Sequence, residues 1–232
     1  MKNIIFGPPG TGKTHKLLSI VEEALAKGID PDQIGYFAYT RRAATEAITR
    51  AVNQFPQYDK KDFKYFRTLH SLAYMELGLN DSSLMDDEDY KEMSGLLKAK
   101  ISNPANKYDN YGTGWQDDKF VNIVDLARIK DVSLEHQFCQ PSTGHLIGGF
   151  QKLRKIASGL EKYKKQNGFL DFTDMILEFV KRGMSPKFRL LIIDEAQDLS
   201  AIQWSMVDLL CKNATRIYIA GDDDQAIFEW AG

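Results

Sequence analysis

Gly7-Pro8-Pro9-Gly10-Thr11-Gly12-Lys13-Thr14 fills every fixed position of the spacing Gly-x4-Gly-Lys-Ser/Thr. At ordinary residue frequencies a chain of this length matches that pattern by chance about 1% of the time. The flanks agree with it. Ile4-Ile5-Phe6 is a short apolar run stopped by glycine, which reads as a buried strand. From Lys13 to about Ala26, Leu17, Leu18, Val21, Ala24 and Leu25 recur at helical spacing, with Gly28 as the stop. A strand that turns through glycines into a helix presents successive backbone N–H groups and a helix N-terminus, a ready cradle for phosphates. Gly7, Pro8, Pro9, Gly10, Thr11, Gly12 and Lys13 are therefore expected around a nucleotide's phosphates. Lys13 should reach the β and γ groups, and the Thr14 hydroxyl should bind Mg²⁺.

Outward from this loop the strand–helix alternation continues. Gly35–Tyr39 predicts a second strand, Arg42–Val52 a helix, Phe63–Phe66 a short third strand and Leu69–Leu77 another helix. Strand signals return at Leu190–Ile193 and Arg216–Ala220, so the fold class is α/β, a parallel sheet flanked by helices. Between about Gly78 and Gly168 the pattern is helical and polar. It holds an acidic stretch at Asp86–Asp89, a loop-like Asn103–Gly114, and a basic helix over Gln151–Lys165 carrying Lys152, Arg154, Lys155, Lys162, Lys164 and Lys165. The expected organisation is a discontinuous nucleotide domain, 1–77 with 168–232, interrupted by a helical insertion, 78–167. The basic helix face suits phosphate contacts or plain solvation.

The second half supplies what such a loop needs. Leu190-Leu-Ile-Ile-Asp194-Glu195 is an apolar strand ending in two carboxylates. Asp194, where open α/β sheets place ligands, is expected in the Mg²⁺ shell, and Glu195 is placed to orient or deprotonate an attacking water. The pair points to hydrolysis as well as binding.

Composition narrows the class. The 232 residues are 43% hydrophobic and 27% charged with net charge −2, an ordinary globular balance that excludes a disordered or polybasic chain. Any basic binding surface must then be local. No stretch nears the roughly 20 apolar residues of a membrane span, and the start lacks a signal-peptide core. Cys139 and Cys211 form no disulfide framework, which suits a reducing cytoplasmic setting. His136, Cys139 and His145 lack zinc-site spacing.

Several stretches in order resemble the first RecA-like domain of UvrD/Rep-type superfamily 1A DNA helicases. Asp194-Glu195-Ala196-Gln197-Asp198 is similar to the family's Walker B motif. Ala220-Gly-Asp-Asp-Asp-Gln225-Ala-Ile-Phe228-Glu-Trp230-Ala-Gly232 resembles motif III. Phe37-Ala-Tyr39-Thr40-Arg41-Arg42-Ala-Ala44 resembles motif Ia, Thr68-Leu-His70-Ser71 motif Ib, and Phe169-Leu-Asp171-Phe-Thr-Asp174 the return from the helical insertion. The resemblance implies ATP and Mg²⁺ as ligands, with Gln225 sensing the γ-phosphate beside Lys13 and Glu195. It implies single-stranded DNA as partner, with Tyr39, Phe228 and Trp230 stacking on bases and Thr40, Thr68 and His70 near the DNA backbone. Aromatic stacking suits that task, at about 1–3 kcal/mol per base for any sequence.

Two features depart from the family pattern. Only residues 1–6 precede the P-loop, where the family carries an adenine-reading glutamine. The sequence also ends at Gly232 within motif III, so the second RecA-like domain with its arginine fingers is expected elsewhere, in a longer chain or a partner. Such fingers are typically worth 10³–10⁵ in rate, so this chain alone is expected to bind nucleotide–Mg²⁺, turn it over slowly at best and unwind nothing. A 3′→5′ direction is implied by resemblance only. A nucleotide-gated single-strand-binding module working with a separate partner is the alternative, and a small-molecule kinase would leave Gln225–Trp230 unexplained.

Overall fold

A computed structural model of the chain describes residues 2–8, 10–103, 117–141 and 148–222. In chain order the regular elements are β1 (Lys2–Phe6), α1 (Lys13–Ala26), β2 (Ile34–Phe37), α2 (Arg41–Gln54), β3 (Phe66–Arg67), α3 (Leu69–Glu76), α4 (Asp87–Leu97), α5 (Asp118–Ile129), α6 (Leu134–Phe138), α7 (Gly149–Asn167), α8 (Phe172–Arg182), β4 (Phe188–Ile193), α9 (Ala201–Lys212) and β5 (Ala214–Gly221). The described residues divide into two compact units, 2–77 with 176–222, and 78–175.

The first unit is an α/β domain around a five-stranded sheet of order β1-β5-β4-β2-β3, parallel at every pairing. Its central strand β4 carries the apolar run read from the sequence, and Leu190 to Ile193 are buried. Parallel strands are covered on both faces, which is why such runs do not alternate. The helix α1 lays Leu17, Leu18, Val21, Ala24 and Leu25 against Ile34, Tyr36, Leu190, Ile192 and Ala220. Ala44, Ala47 and Ala51 form the buried stripe of α2 in the same core. The register pairs Phe6 with Gly221, and Phe37 with both Arg67 and Ile193. The loops leaving all five strands therefore share one edge of the sheet, the edge where open α/β sheets bind ligands.

Three strand expectations change. The first strand is not buried: β1 is an edge strand, with the side chains of Ile4 and Phe6 exposed. The second strand ends at Phe37 rather than Tyr39, because Thr40 already caps α2. The third is Phe66–Arg67 rather than Phe63–Phe66. The Phe66 N–H bonds the Phe63 carbonyl at 3.2 Å, so residues 63–66 form a turn, and Phe63 serves as core, edge-on to Phe66 with centroids 4.9 Å apart.

The second unit is helical. Leu153, Ile156, Leu160 and Tyr163 of α7 pack with Phe120, Val121, Ile123 and Val124 of α5 and with Tyr90 and Met93 of α4. The acidic stretch has a local purpose: Asp86 accepts the N–H groups of Glu88 and Asp89 at 2.9 and 3.0 Å, and the Asp89 carboxylate accepts that of Asp86 at 2.9 Å. This capping box also sets negative charge at the positive end of α4.

The basic helix is less of a cationic face than its sequence suggests. Lys152 pairs with Asp117, and Lys164 lies 2.5 and 2.6 Å from carboxylate oxygens of Asp171 and Asp174, leaving Arg154, Lys155, Lys162 and Lys165 exposed. Arg128 joins the same half-buried cluster, 2.8 Å from Asp171 and also bonded to Asp174. Asp171 and Asp174 each accept the other's backbone N–H, at 2.8 and 3.0 Å, which fixes the start of α8. These ties hold residues 168–175 with the helical unit, so the division falls at 175/176 rather than at 168. Among the described residues no helix is long and apolar enough to cross a membrane.

Candidate functional site

The glycine loop takes its shape from positions only glycine occupies without strain. Gly10 and Gly12 have φ of 74° and 84°, a left-handed conformation costing other residues about 1–2 kcal/mol. A Cβ on Gly7 would sit 2.7 Å from the Thr11 hydroxyl oxygen, itself donating to the Pro8 carbonyl at 2.7 Å. Gly12 caps α1, and its carbonyl accepts the Lys16 N–H at 2.8 Å. The Lys13 ammonium folds over the loop, donating to the carbonyls of Gly7 and, at 3.2 Å, Pro8. Pro9 lies outside the described residues.

Thr14, the next residue, reaches across the chain. Its hydroxyl donates to Asp194 Oδ2 at 3.2 Å, and the Tyr36 hydroxyl donates to the same oxygen at 2.7 Å. Asp194 Oδ1 accepts the Glu195 N–H at 3.0 Å, and the Asp194 N–H is bound by the Phe37 carbonyl at 2.8 Å. The carboxylate is 2% exposed, and that burial pushes its pKa up; the Tyr36 hydrogen bond opposes the rise and the neighbouring Glu195 charge adds to it. A buried anion held at such a cost suits a cation. A threonine hydroxyl and one carboxylate are hard oxygen donors of the kind Mg²⁺ shares with phosphates and water. Among the described residues no three His, Cys, Asp or Glu side chains gather to hold a metal by themselves. The donor set thus fits an ion brought with a phosphate ligand.

Glu195 adopts φ 55° and ψ 47°, rare for a residue with a side chain and frequent where strain is kept for function. It is held there on both sides. Its carbonyl accepts the Asp198 N–H at 3.1 Å, and its Oε2 accepts the Gln197 side-chain amide at 2.8 Å. Gln197 Oε1 accepts in turn the backbone N–H of Asp222, just past β5, at 3.0 Å.

Of the expected DNA-contacting residues, Thr40 and Thr68 prove to be N-caps. Thr40 accepts the Ala43 N–H and Thr68 the Ser71 N–H, each at 3.2 Å. Tyr39 is half-buried beside Thr40, and His70 lies in the first turn of α3. Burial pushes the His70 pKa down to about 4, so its ring is neutral near pH 7 and offers a hydrogen bond rather than a charge. All four lie on segments leaving β2 and β3 at the ligand edge. Gln225, Phe228 and Trp230 lie outside the described residues.

Sequence reading passed over Tyr36 and gave Gln197 no role. The first lay unremarked inside the predicted strand Gly35–Tyr39, although a buried phenol needs a hydrogen-bond partner. The second sat inside the Asp194–Asp198 motif.

A parallel sheet whose first strand turns through such a loop onto a helix, with an Asp-Glu pair closing a strand beside it, defines a P-loop domain of RecA-like type. The family is narrower: the sequence model of the UvrD/REP helicase N-terminal domain matches residues 1–232, and the chain belongs to that family. It is 27% identical over 256 residues to the "Probable DNA helicase II homolog" of Mycoplasma pneumoniae, covering 99% of this chain and 34% of that protein. The "Probable DNA helicase II homolog" of Rickettsia felis is 27% identical over 253 residues, at 99% and 36% coverage. The "ATP-dependent DNA helicase Rep" of Escherichia coli is 25% identical over 248 residues, at 99% and 35%. The chain spans about a third of the length of these curated relatives.

Proposed function

We propose that this chain is the ATP-binding portion of an ATP-dependent DNA helicase or translocase that couples ATP hydrolysis to movement along single-stranded DNA. The observation that carries the reading is the Thr14–Asp194 contact, which joins the P-loop to the Asp-Glu turn across 180 residues of sequence. Thr14 and Asp194 would hold Mg²⁺, which neutralises charge on the phosphates when bound. Lys13, now on the Gly7 and Pro8 carbonyls, would exchange those partners for phosphate oxygens. Glu195 would take the proton of the attacking water as general base. Gln225 would read the γ-phosphate, and Tyr39, Thr40, Thr68, His70, Phe228 and Trp230 would contact the strand.

The nucleotide domain would comprise 1–77 and 176–232, with 78–175 as the inserted subdomain. A second RecA-like domain, in the same longer chain or in a partner, would close over the nucleotide and supply arginines. The direction would be 3′→5′ and the setting cytoplasmic, by family resemblance and cysteine usage.

Steady-state ATP turnover by this chain and by Lys13→Ala, with and without a single-stranded oligonucleotide, tests the reading. The expected result is slow, Lys13-dependent turnover that DNA does not stimulate. Strong DNA stimulation would show that the chain needs no second domain. Turnover indifferent to Lys13→Ala would remove the nucleotide site altogether.

A further inference from the structure

Gln197 holds two chain segments at once. Its Nε2 donates to Glu195 Oε2 at 2.8 Å, and its Oε1 accepts the Asp222 backbone N–H at 3.0 Å. The orientation of the amide is dictated by its neighbours. A backbone N–H only donates, so the oxygen must face Asp222, and the NH₂ is left for the carboxylate. The fit is close on the β5 side, since a Cβ on Gly221 would come within 3.2 Å of Oε1. Glu195 stands in a left-handed turn with Oε2 engaged by Gln197. Asp222 lies three positions before Gln225 in sequence.

We infer that Gln197 is a positioning residue for hydrolysis, fixing the carboxylate of Glu195 to the end of β5 so that one Glu195 oxygen stays engaged and the other is aimed at the reacting water. This rests on the ATPase reading above. A general base must stand within hydrogen-bond reach of the proton it takes, so orientation is part of its rate contribution. Because one rigid amide spans both contacts, a displacement of Asp222 is carried to Glu195 without any change in the P-loop. Hydrolysis is thereby tied to the strand that leads toward Gln225.

Two substitutions separate the two ends. Gln197→Leu loses both bonds, together with the longer one that Nε2 donates to Asp198 Oδ2 at 3.5 Å. Gln197→Glu keeps an acceptor for Asp222 but sets a carboxylate against Glu195. In single-turnover experiments both are expected to slow hydrolysis about tenfold or more while leaving Mg²⁺–ATP affinity within about threefold, a split that packing alone would not give. Exchange of the Asp222 amide proton is expected to speed up in Gln197→Leu and to stay at the parent rate in Gln197→Glu. The Gln197 side-chain amide resonances are expected to move in Glu195→Ala. Parent-like turnover in Gln197→Glu, or amide resonances indifferent to Glu195→Ala, would overturn the inference. If the parent binds nucleotide no better than Lys13→Ala, the ATPase reading fails instead, while the two magnetic-resonance results still decide whether Gln197 makes this tie.

Discussion

The hydroxyl of Tyr36 donates a 2.7 Å hydrogen bond to Asp194 Oδ2, the oxygen that also receives the Thr14 hydroxyl. Tyr36 is fully buried and stacks on Phe66 with ring centroids 5.4 Å apart, so its phenol cannot swing away. The middle of β2 thus sets the carboxylate that faces the P-loop. Tyr36→Phe keeps the ring and removes the donor. It should cost about 1–3 kcal/mol of stability, the range for depriving a buried polar group of its partner. Mg²⁺-dependent nucleotide affinity should fall several-fold with it. Urea unfolding and nucleotide titration check this, and parent-like values in both would show the bond to be idle.

Asp194 gives a pH signature. Burial raises its pKa above the ordinary 3.8, so between 3.8 and the raised value the folded chain holds more protons than the unfolded one. Its contribution to stability therefore falls as pH climbs through that window, and above it the ionised group is a net cost. Asp194→Asn should be more stable than the parent at pH 7, with the gap closing toward pH 4. Chemical denaturation at both pH values measures it, and a less stable Asn variant at pH 7 would refute it.

Asp171 carries the opposite sign. Burial alone would raise its carboxyl, but the charges and hydrogen bonds of Arg128 and Lys164 outweigh that and hold it well below 3.8. This stabilisation is present above 3.8 and is lost as pH falls through the depressed value. Asp171→Asn leaves the buried Lys164 with Asp174, and the half-buried Arg128 with Asp174 and Asp125, and should cost about 1.5–3 kcal/mol near pH 7. Acid unfolding of the parent should report the same loss, read from the helical signal. An Asn variant as stable as the parent would show the cluster to be expendable.

Gly12 tests the loop itself. Its φ of 84° makes Gly12→Ala strained by about 1–2 kcal/mol, although nothing lies within 4 Å of the added Cβ. The strain is relieved only by moving the N-terminus of α1. Nucleotide affinity should therefore drop at least about tenfold by calorimetry. Unchanged affinity would mean that the loop geometry does not set the site.

Much of this site was legible in sequence because it is local. The P-loop residues dictate their own turn, and α1 spans Lys13–Ala26 as its apolar spacing indicates. Asp194 and Glu195 end an apolar strand, and strand ends in parallel sheets lie at the ligand edge. What escaped depends on contacts distant in sequence. Phe63 and Phe66 carry strand-like residue types, yet their aromatic packing closes a turn. Lys152 and Lys164 looked like members of one solvated face until Asp117, Asp171 and Asp174 met them. The Asp86–Asp89 run looked like a charge patch and is a helix cap. Tyr36 is a polar group on a buried strand and Gln197 sits in the short turn after Glu195, and only the fold shows that both bear on the Asp194-Glu195 pair.

The central claim is that Lys13, Thr14 and Asp194 form one Mg²⁺–nucleotide site, and binding of a fluorescent ATP analogue with and without Mg²⁺ tests it most directly. The parent should bind tightly only with Mg²⁺, Thr14→Ala should lose most of that Mg²⁺ dependence, and Lys13→Ala should lose binding in either condition. Equal affinity in all three proteins, or binding by the parent indifferent to Mg²⁺, would contradict the account.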